Sequence, residues 1–286
     1  MKEKLKMEKI NINDFAKICI QKMHFLCNEY DYVFSEIREK SQKNENEIVL
    51  KLVFTNNSFQ RIVELVLIGY DYSTHMFCRI ARIYIKKISI ENDECKIPDY
   101  YDIENCVELF YVERLLPQNN QEQTSLMYEK SNNIYDDLDI FKYIIENSSN
   151  IIQGFYFPTV DDLTKTLSEY YGREYKYRGY SRDNGFITTT KESIKLVENY
   201  GYEIIYDETK LQPYERDDLY PKIVYFNKQY NISIRISFDG RDFMMSASNN
   251  HLANGYFHCS QPTPEEYKIL EQKMIDEALK QQELTK

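Results

Sequence analysis

Tyrosines and basic residues alternate in residues 170–182, the segment whose residue types point most clearly to ligand binding. Arginine binds phosphate or carboxylate oxygens through paired N–H groups, and tyrosine rings stack on bases or on apolar side chains. The segment is therefore predicted to bind a nucleotide, single-stranded nucleic acid or an acidic protein surface, or else to be a solvated hairpin whose tyrosines cover the edge of the core. The candidate binding residues are Tyr171, Arg173, Tyr175, Lys176, Tyr177, Arg178, Tyr180 and Arg182.

Glycine spacing excludes several phosphate-binding and nucleophile motifs. The chain has eight glycines, and the closest two, Gly179 and Gly185, are six residues apart. A dinucleotide-binding fingerprint needs glycines two and three residues apart, a P-loop needs them five apart, and a nucleophile elbow needs them four apart. None of these three motifs is present in the sequence.

Histidine and cysteine spacing does not indicate a metal or redox site. The four histidines include no pair four residues apart, and the six cysteines include no Cys-x-x-Cys pair, so the common zinc and thioredoxin-type patterns are missing. We expect no metal site, no cofactor, and free cysteines in a reducing compartment.

Charge and hydropathy favour an acidic cytoplasmic protein. Lys and Arg number 36 against 46 for Asp and Glu, which gives a net charge of −10 over 286 residues. Duplex nucleic acid is a disfavoured partner, because its affinity depends on clustered cations. The sequence shows neither a secretory leader nor an apolar stretch long enough to span a membrane, so we expect a cytoplasmic location and no membrane partner.

The first part of the chain is typical of one long helix followed by a strand meander. Apolar spacing predicts a helix over residues 14–39, and alternation predicts strands at residues 48–55, 61–69, 77–88 and 107–112. Residues 61–69 are apolar on both faces and are placed centrally in the sheet. In the next strand, Arg82, Tyr84 and Lys86 alternate with apolar residues and are expected to point outward.

Helices and strands alternate more closely in the second part. We predict a linker or long loop at residues 118–133, a helix at 136–146, a strand at 151–157, and a helix at 159–171 that is capped by Thr159 and Asp162 and ends at Gly172. A further helix is predicted to end at Tyr200. Strands at 202–206, 223–226, 232–238 and 243–247 follow, and Pro264 opens a C-terminal helix.

The fold class predicted from these elements is α+β, with two helix-plus-antiparallel-sheet units and a C-terminal helix. Residues 1–117 form the first predicted domain, residues 118–133 the linker, and residues 134–286 the second domain. Whether the two units arose by duplication stays open at this stage.

The predicted function is a non-catalytic intracellular protein-binding module, such as an immunity or inhibitor protein that neutralises a toxin or effector by surface contact. An acidic surface and 26 tyrosines, a residue type favoured in contact patches, motivate this prediction. The alternative is an enzyme acting on a nucleotide or nucleic acid through the segment around Arg178. A structural subunit of a larger assembly is a third hypothesis.

Overall fold

The protein has the predicted α+β fold, with helices and two antiparallel sheets. The chain folds into two compact units, Met1–Tyr177 (unit 1) and Arg178–Lys286 (unit 2). The structure, a computed structural model, describes residues 10–43, 45–72, 75–91, 94–100, 102–172, 174, 200–208, 211–216, 222–238, 242–249, 252–260 and 264–284.

Unit 1 packs helices on one face of a five-stranded sheet. The strands of this sheet follow the order β1-β2-β3-β4-β7, with all neighbours antiparallel, and β5 and β6 form a separate small hairpin. Its strands are β1 (Val33–Lys40), β2 (Glu47–Asn56), β3 (Arg61–Tyr72), β4 (His75–Lys87), β5 (Ser89–Glu91), β6 (Glu94–Lys96) and β7 (Cys106–Glu108). Its helices are α1 (Ile12–Met23), α2 (Phe25–Tyr30), α3 (Leu109–Arg114), α4 (Gln118–Lys130), α5 (Ile134–Asn147), α6 (Ser149–Ile152) and α7 (Val160–Tyr171).

The core of unit 1 lies between this sheet and its helices. Alternate residues of the central strands, such as Leu52 and Leu65, are fully buried against α1, α2 and α5. Leu138 and Ile144 of α5 belong to the same core cluster. Because residues beyond 133 complete this core, the first compact unit extends well past residue 117.

The helix predicted over residues 14–39 is wrong beyond Tyr30. Helix α2 ends at Tyr30, and Asp31 adopts a left-handed conformation with φ of 55°. The chain then forms β1, in which Phe34 lies opposite Phe54 of β2. An edge strand is less buried than a central strand, so its apolar and polar residues need not alternate strictly. The four-residue spacing of Val33 and Ile37 therefore resembles that of a helix although both residues lie in a strand.

Helix α4 replaces the predicted linker at residues 118–133. Its sequence has no apolar stripe, and only Thr124 is buried. The helix is held by tertiary contacts: the Thr124 hydroxyl donates to the Glu113 carboxylate at 2.7 Å, and the Gln121 amide donates to the Leu116 carbonyl at 2.7 Å. Polar contacts of this kind stabilise a helix that hydropathy alone does not indicate.

Two predicted strands are also corrected. Of residues 107–112, only the first two lie in β7, and the chain continues as helix α3. Residues 151–157 form the end of α6 and a turn, with Gly154 at a φ of 80°. The buried Arg61 side chain donates to the carbonyls of Ile151 and Tyr156 at 2.9 and 3.1 Å, and so satisfies backbone groups that a strand would have paired.

Helix α7 confirms the predicted cap. Thr159 accepts the Asp162 amide N–H, Asp162 accepts from the Thr159 amide N–H, and Gly172 ends the helix with a φ of 62°. Reciprocal bonds of this kind satisfy amide groups that have no partner inside the helix.

Unit 2 is a five-stranded antiparallel meander with a helix packed on it. Its strands follow chain order, and helix α8 contacts β10, β11 and β12. Its elements are β8 (Glu203–Asp207), β9 (Lys222–Asn227), β10 (Ile232–Phe238), β11 (Asp242–Asn249), β12 (Leu252–Ser260) and α8 (Pro264–Leu284). The core includes Tyr225, Ile234 and Met274. The predicted meander and C-terminal helix are confirmed, and the predicted helix that ends at Tyr200 lies outside the described residues apart from Tyr200 itself.

Candidate functional site

The binding segment predicted from the sequence lies almost wholly outside the described residues. Tyr171 is the last residue of α7, but nothing is described of its side chain. The structure does describe the neighbouring Tyr170, which is half exposed and whose ring lies 4.1 Å from the Arg114 guanidinium carbon. The predicted site residues outside the described part are Arg173, Tyr175, Lys176, Tyr177, Arg178, Tyr180 and Arg182.

Buried charged side chains form an ionic cluster on the outer face of the unit 1 sheet. The outer face is the one turned away from α1. Strand alternation places charged residues of β2, β3, β4 and β7 on it, all of them buried. The ionic cluster consists of Lys51, Glu64, Arg82, Lys86, Tyr100 and Glu108.

Glu64 and Lys86 form the centre of this cluster. The Lys86 ammonium lies 3.0 Å from a Glu64 carboxylate oxygen, and the Tyr100 hydroxyl donates to the other oxygen of the same carboxylate. The ammonium also lies 3.9 Å from the centre of the Tyr100 ring. The ammonium and the hydroxyl replace the hydrogen bonds to water that the buried carboxylate has lost.

A second ion pair lies beside a small cavity. The Arg82 Nε atom is 3.3 Å from a Glu108 carboxylate oxygen. The two residues line a cavity of about 70 Å³, together with apolar residues such as Ile83 and Phe141. Small-molecule sites usually occupy about 300–1,000 Å³, so this cavity is too small for a nucleotide.

Cys106 lies next to the ionic cluster, and its burial disfavours the thiolate form of its side chain. Burial raises the pKa of Cys106 to about 12, an effect that Lys86 only partly offsets. Nucleophilic cysteines have a lowered pKa, because the thiolate is the reactive form. Burial likewise raises the pKa of the Tyr84 hydroxyl well above its usual value. The cluster therefore has the chemistry of a stabilising network.

Strand β1 offers a different kind of site, an exposed sheet edge. Within the described residues, β1 pairs with β2 on one side and with no strand on the other. Val33 is 72% exposed and Ile37 is 46% exposed. They lie opposite Thr55 and Lys51, so both belong to the outer face of the sheet. We call the row formed by β1 and these two side chains the contact edge.

The contact edge is suited to binding an extended peptide. An unpaired strand presents a row of backbone N–H and C=O groups to which a further strand adds, and exposed side chains select the partner. Phe34 packs against Phe54 with the ring centres 5.2 Å apart, and this contact anchors the strand to the core. The edge is therefore held in place although most of its side chains are exposed.

Sequence reasoning missed both features, for different reasons. Arg82, Tyr84 and Lys86 were expected to point outward, and they do lie on the face opposite the helices, but this face is buried. The sequence of β3 indicated this burial, because a strand that is apolar on both faces implies that both faces of the sheet are covered. The helical spacing of Val33 and Ile37 led to the prediction of a helix where the contact edge lies.

The described residues contain no group of three or more His, Cys, Asp or Glu side chains that could hold a metal ion. Four cysteines in this part of the chain, Cys19, Cys27, Cys78 and Cys106, are free thiols. No helix in the described ranges combines the length and the apolar character needed to cross a membrane.

Comparison with known proteins assigns no family. No protein-family model matches the chain, and no curated protein or solved structure shows significant similarity to it.

Proposed function

We propose that this chain is a protein-binding module that acts by surface contact, as an immunity or inhibitor protein does, and that strand β1 is its contact edge. The observation that carries the proposal is an eight-residue edge strand whose Val33 and Ile37 side chains are exposed. Exposed apolar side chains on the edge strand of a sheet favour association with another polypeptide.

The chemistry of the ionic cluster is consistent with this function. Its buried carboxylates and cations neutralise one another, as in the pair formed by Glu64 and Lys86. Such pairs hold a sheet in one conformation. The cluster lies on the same face as Ile37, since Ile37 is directly opposite Lys51. It therefore provides a rigid support for the contact edge.

The charge of the chain indicates the class of partner. With a net charge of −10, the protein attracts basic proteins over a distance of about one Debye length, roughly 8 Å at physiological ionic strength. The proposed partner is a basic protein, such as a cationic toxin or effector, that adds an extended segment to β1. The cytoplasmic location expected from the sequence is part of the same proposal.

Partner capture with matched surface variants tests the proposal. Ile37→Lys places a charge on the contact edge, and Leu126→Lys places the same charge on α4 at an exposed apolar residue of nearly equal exposure, 47% against 46%. The partner recovered with the wild-type chain is identified, purified and titrated. We expect Ile37→Lys to weaken its affinity at least about tenfold and Leu126→Lys to leave it unchanged.

Two results of this experiment would contradict the proposal. Equal affinity of the two variants contradicts the assignment of the contact edge. If repeated captures recover no stoichiometric macromolecular partner, the protein-binding function is wrong. Nucleotide binding that is lost in an Arg178→Ala/Arg182→Ala variant then supports the enzymatic alternative.

A further inference from the structure

Two segments of the chain, one in each unit, share a sequence pattern. Residues 51–60 read KLVFTNNSFQ, and residues 222–231 read KIVYFNKQYN. Aligned without a gap, they share the lysine, the valine and the first asparagine, and they exchange Leu for Ile and Phe for Tyr at three further positions. A match over ten residues arises readily by chance, whereas a match in hydrogen bonds and backbone conformation at the same positions does not.

The shared asparagine makes the same long-range hydrogen bond in each unit. The Asn56 side-chain amide donates to the Tyr30 carbonyl at 2.7 Å, and the Asn227 amide donates to the Tyr200 carbonyl at 2.9 Å. The acceptors lie 26 and 27 residues earlier in the chain. Each acceptor belongs to the last helical residue before the first strand of its sheet. The asparagine thus ties a helix end to a hairpin turn.

The same two side chains also organise equivalent turns. The carboxamide oxygen of the first asparagine accepts the Phe59 amide at 2.9 Å, and that of the second accepts the Tyr230 amide at 3.3 Å, three residues on in both cases. The fourth turn residue is left-handed in both units, with φ of 52° at Gln60 and 54° at Asn231. Non-glycine residues rarely adopt this conformation, so its recurrence at one position is informative.

The three residues that precede the first strand of each sheet are equivalent as well. They read Tyr-Asp-Tyr at residues 30–32 and Tyr-Gly-Tyr at residues 200–202, with the middle residue left-handed in each. The second tyrosine is buried in both. The Tyr32 hydroxyl donates to the Ile152 carbonyl at 2.7 Å, and the Tyr202 hydroxyl accepts from the Gln282 amide at 3.2 Å. Both bonds reach a helix that follows the sheet.

Strand register agrees between the units. Val33 lies opposite Thr55 and Glu203 lies opposite Phe226, so each first strand begins opposite the residue before the asparagine. Both five-stranded sheets then run in chain order.

The shared lysine forms an ion pair with a glutamate in each unit. Lys51 forms an ion pair with Glu39 at 2.6 Å, and Lys222 forms one with Glu208 at 3.6 Å. Each glutamate lies upstream of its lysine, the first on β1 and the second directly after β8. By register the two glutamates are not equivalent, because Glu39 lies opposite Val49 whereas Glu208 directly follows Asp207, which lies opposite Ile223. The alignment therefore includes the lysine but not its partner.

We infer that the two units are diverged copies of one meander module, with Asn56 and Asn227 as its equivalent positioning residues. The strand equivalent to β1 is β8, whose Ile204 and Ile205 are exposed. The duplication therefore gives the protein a second candidate contact edge for the same class of partner. This last consequence rests on the proposed function, whereas the duplication does not.

Replacing the first turn by the second in the full chain tests the equivalence without any partner. The aligned variant carries Asn57→Lys/Ser58→Gln/Phe59→Tyr/Gln60→Asn. Its control replaces residues 57–60 by residues 227–230, which keeps Asn56 and shifts the alignment by one position. We expect the aligned variant to lose less than about 3 °C in Tm and the shifted control to lose several times more. Equal losses in the two variants overturn the inference.

Hydrogen exchange provides a readout that does not depend on folding of the exchanged turns. In the wild-type chain we expect slow exchange at the amides of both Phe59 and Tyr230. Asn56→Ala is expected to speed exchange at Phe59 at least about tenfold, and Asn227→Ala to do so at Tyr230. The exposed neighbours provide the controls, Asn57→Ala and Lys228→Ala. If only one asparagine protects its turn, the two positions are not equivalent and the inference is wrong.

Discussion

The Lys86 ammonium lies 3.0 Å from the Glu64 carboxylate, on the face of the unit 1 sheet opposite the helices, and both side chains are less than a tenth exposed. This pair joins β3 to β4, and the Tyr100 hydroxyl binds the same carboxylate. The polar residues that alternate with apolar residues along β4, such as Lys86, are therefore buried. Removing one member of the pair leaves the other charge buried without its partner, and this lowers the stability of the fold strongly.

Lys86→Met is therefore expected to destabilise the protein by about 3–5 kcal/mol. The control is Lys17→Met, which removes an exposed ion pair with Asp14 at 2.8 Å and is expected to cost less than about 0.5 kcal/mol. Urea unfolding at pH 7 measures both values. A Lys86→Met loss as small as that of the control contradicts the assignment of Lys86 as a member of a buried network.

The cap of α7 predicts a pH dependence of stability. Hydrogen bonds from the Thr159 amide, the Tyr156 hydroxyl and the Thr159 hydroxyl lower the pKa of Asp162 below its ordinary value of 3.8. A lowered folded-state pKa means that the carboxylate stabilises the fold above its unfolded-state pKa, and that this contribution is lost as the pH falls through the folded-state pKa.

Asp162→Asn is accordingly expected to destabilise the protein at pH 7 by about 1 kcal/mol, with a difference from wild type that shrinks as the pH falls below about 4. Asp161→Asn is the control, because Asp161 is exposed in the same turn and does not form the reciprocal cap. The free energy of unfolding at pH 7 and pH 3 measures the effect. A constant Asp162→Asn difference between these pH values contradicts the role of the carboxylate.

Two glycines with a left-handed backbone separate the steric cost of an added Cβ from the conformational cost of a non-glycine residue. A Cβ on Gly154 meets the Phe59 carbonyl oxygen at 2.6 Å, whereas a Cβ on Gly172 meets no atom within 4 Å. Gly172→Ala is expected to cost about 1–2 kcal/mol through the left-handed backbone alone. Gly154→Ala should cost clearly more, because the backbone must also move. Equal losses of Tm for the two variants refute this packing of Gly154.

The buried thiols predict slow labelling of the native chain. Burial raises the pKa of Cys78 to about 11 and that of Cys106 to about 12. Little thiolate is then present at pH 8, and reagent access is also blocked. Iodoacetamide followed by peptide mapping should label these two residues only after unfolding in urea. Rapid labelling of Cys106 in the native protein shows instead that its strand opens.

The sequence specified the alternating strands and the capped helix best, because both depend on local patterns. The capping box at Thr159 and Asp162 and the strands around Leu52 and Leu65 follow from periodicity and caps. Helix α4 could not be predicted in this way, since tertiary hydrogen bonds to Thr124 and Gln121 stabilise it. The turn after α6 likewise depends on Arg61, about 90 residues earlier in the chain.

The candidate sites were harder to predict than the fold. The binding segment around Arg178 is distinctive in composition, and it lies outside the described residues. The contact edge carries ordinary residues, and what distinguishes it is the position of β1 at the end of the sheet order. That position follows from strand pairing, which a single sequence does not encode locally.

Site-specific photocrosslinking tests the central claim, that β1 is the surface by which this protein binds a basic protein partner. A photoreactive phenylalanine derivative is placed at Ile37 on the contact edge, or at Leu126 on the exposed face of α4, and the full chain is illuminated with the partner recovered by capture. The account predicts an efficient crosslink from position 37 and none above background from position 126. Crosslinking from position 126 with none from position 37 would contradict it.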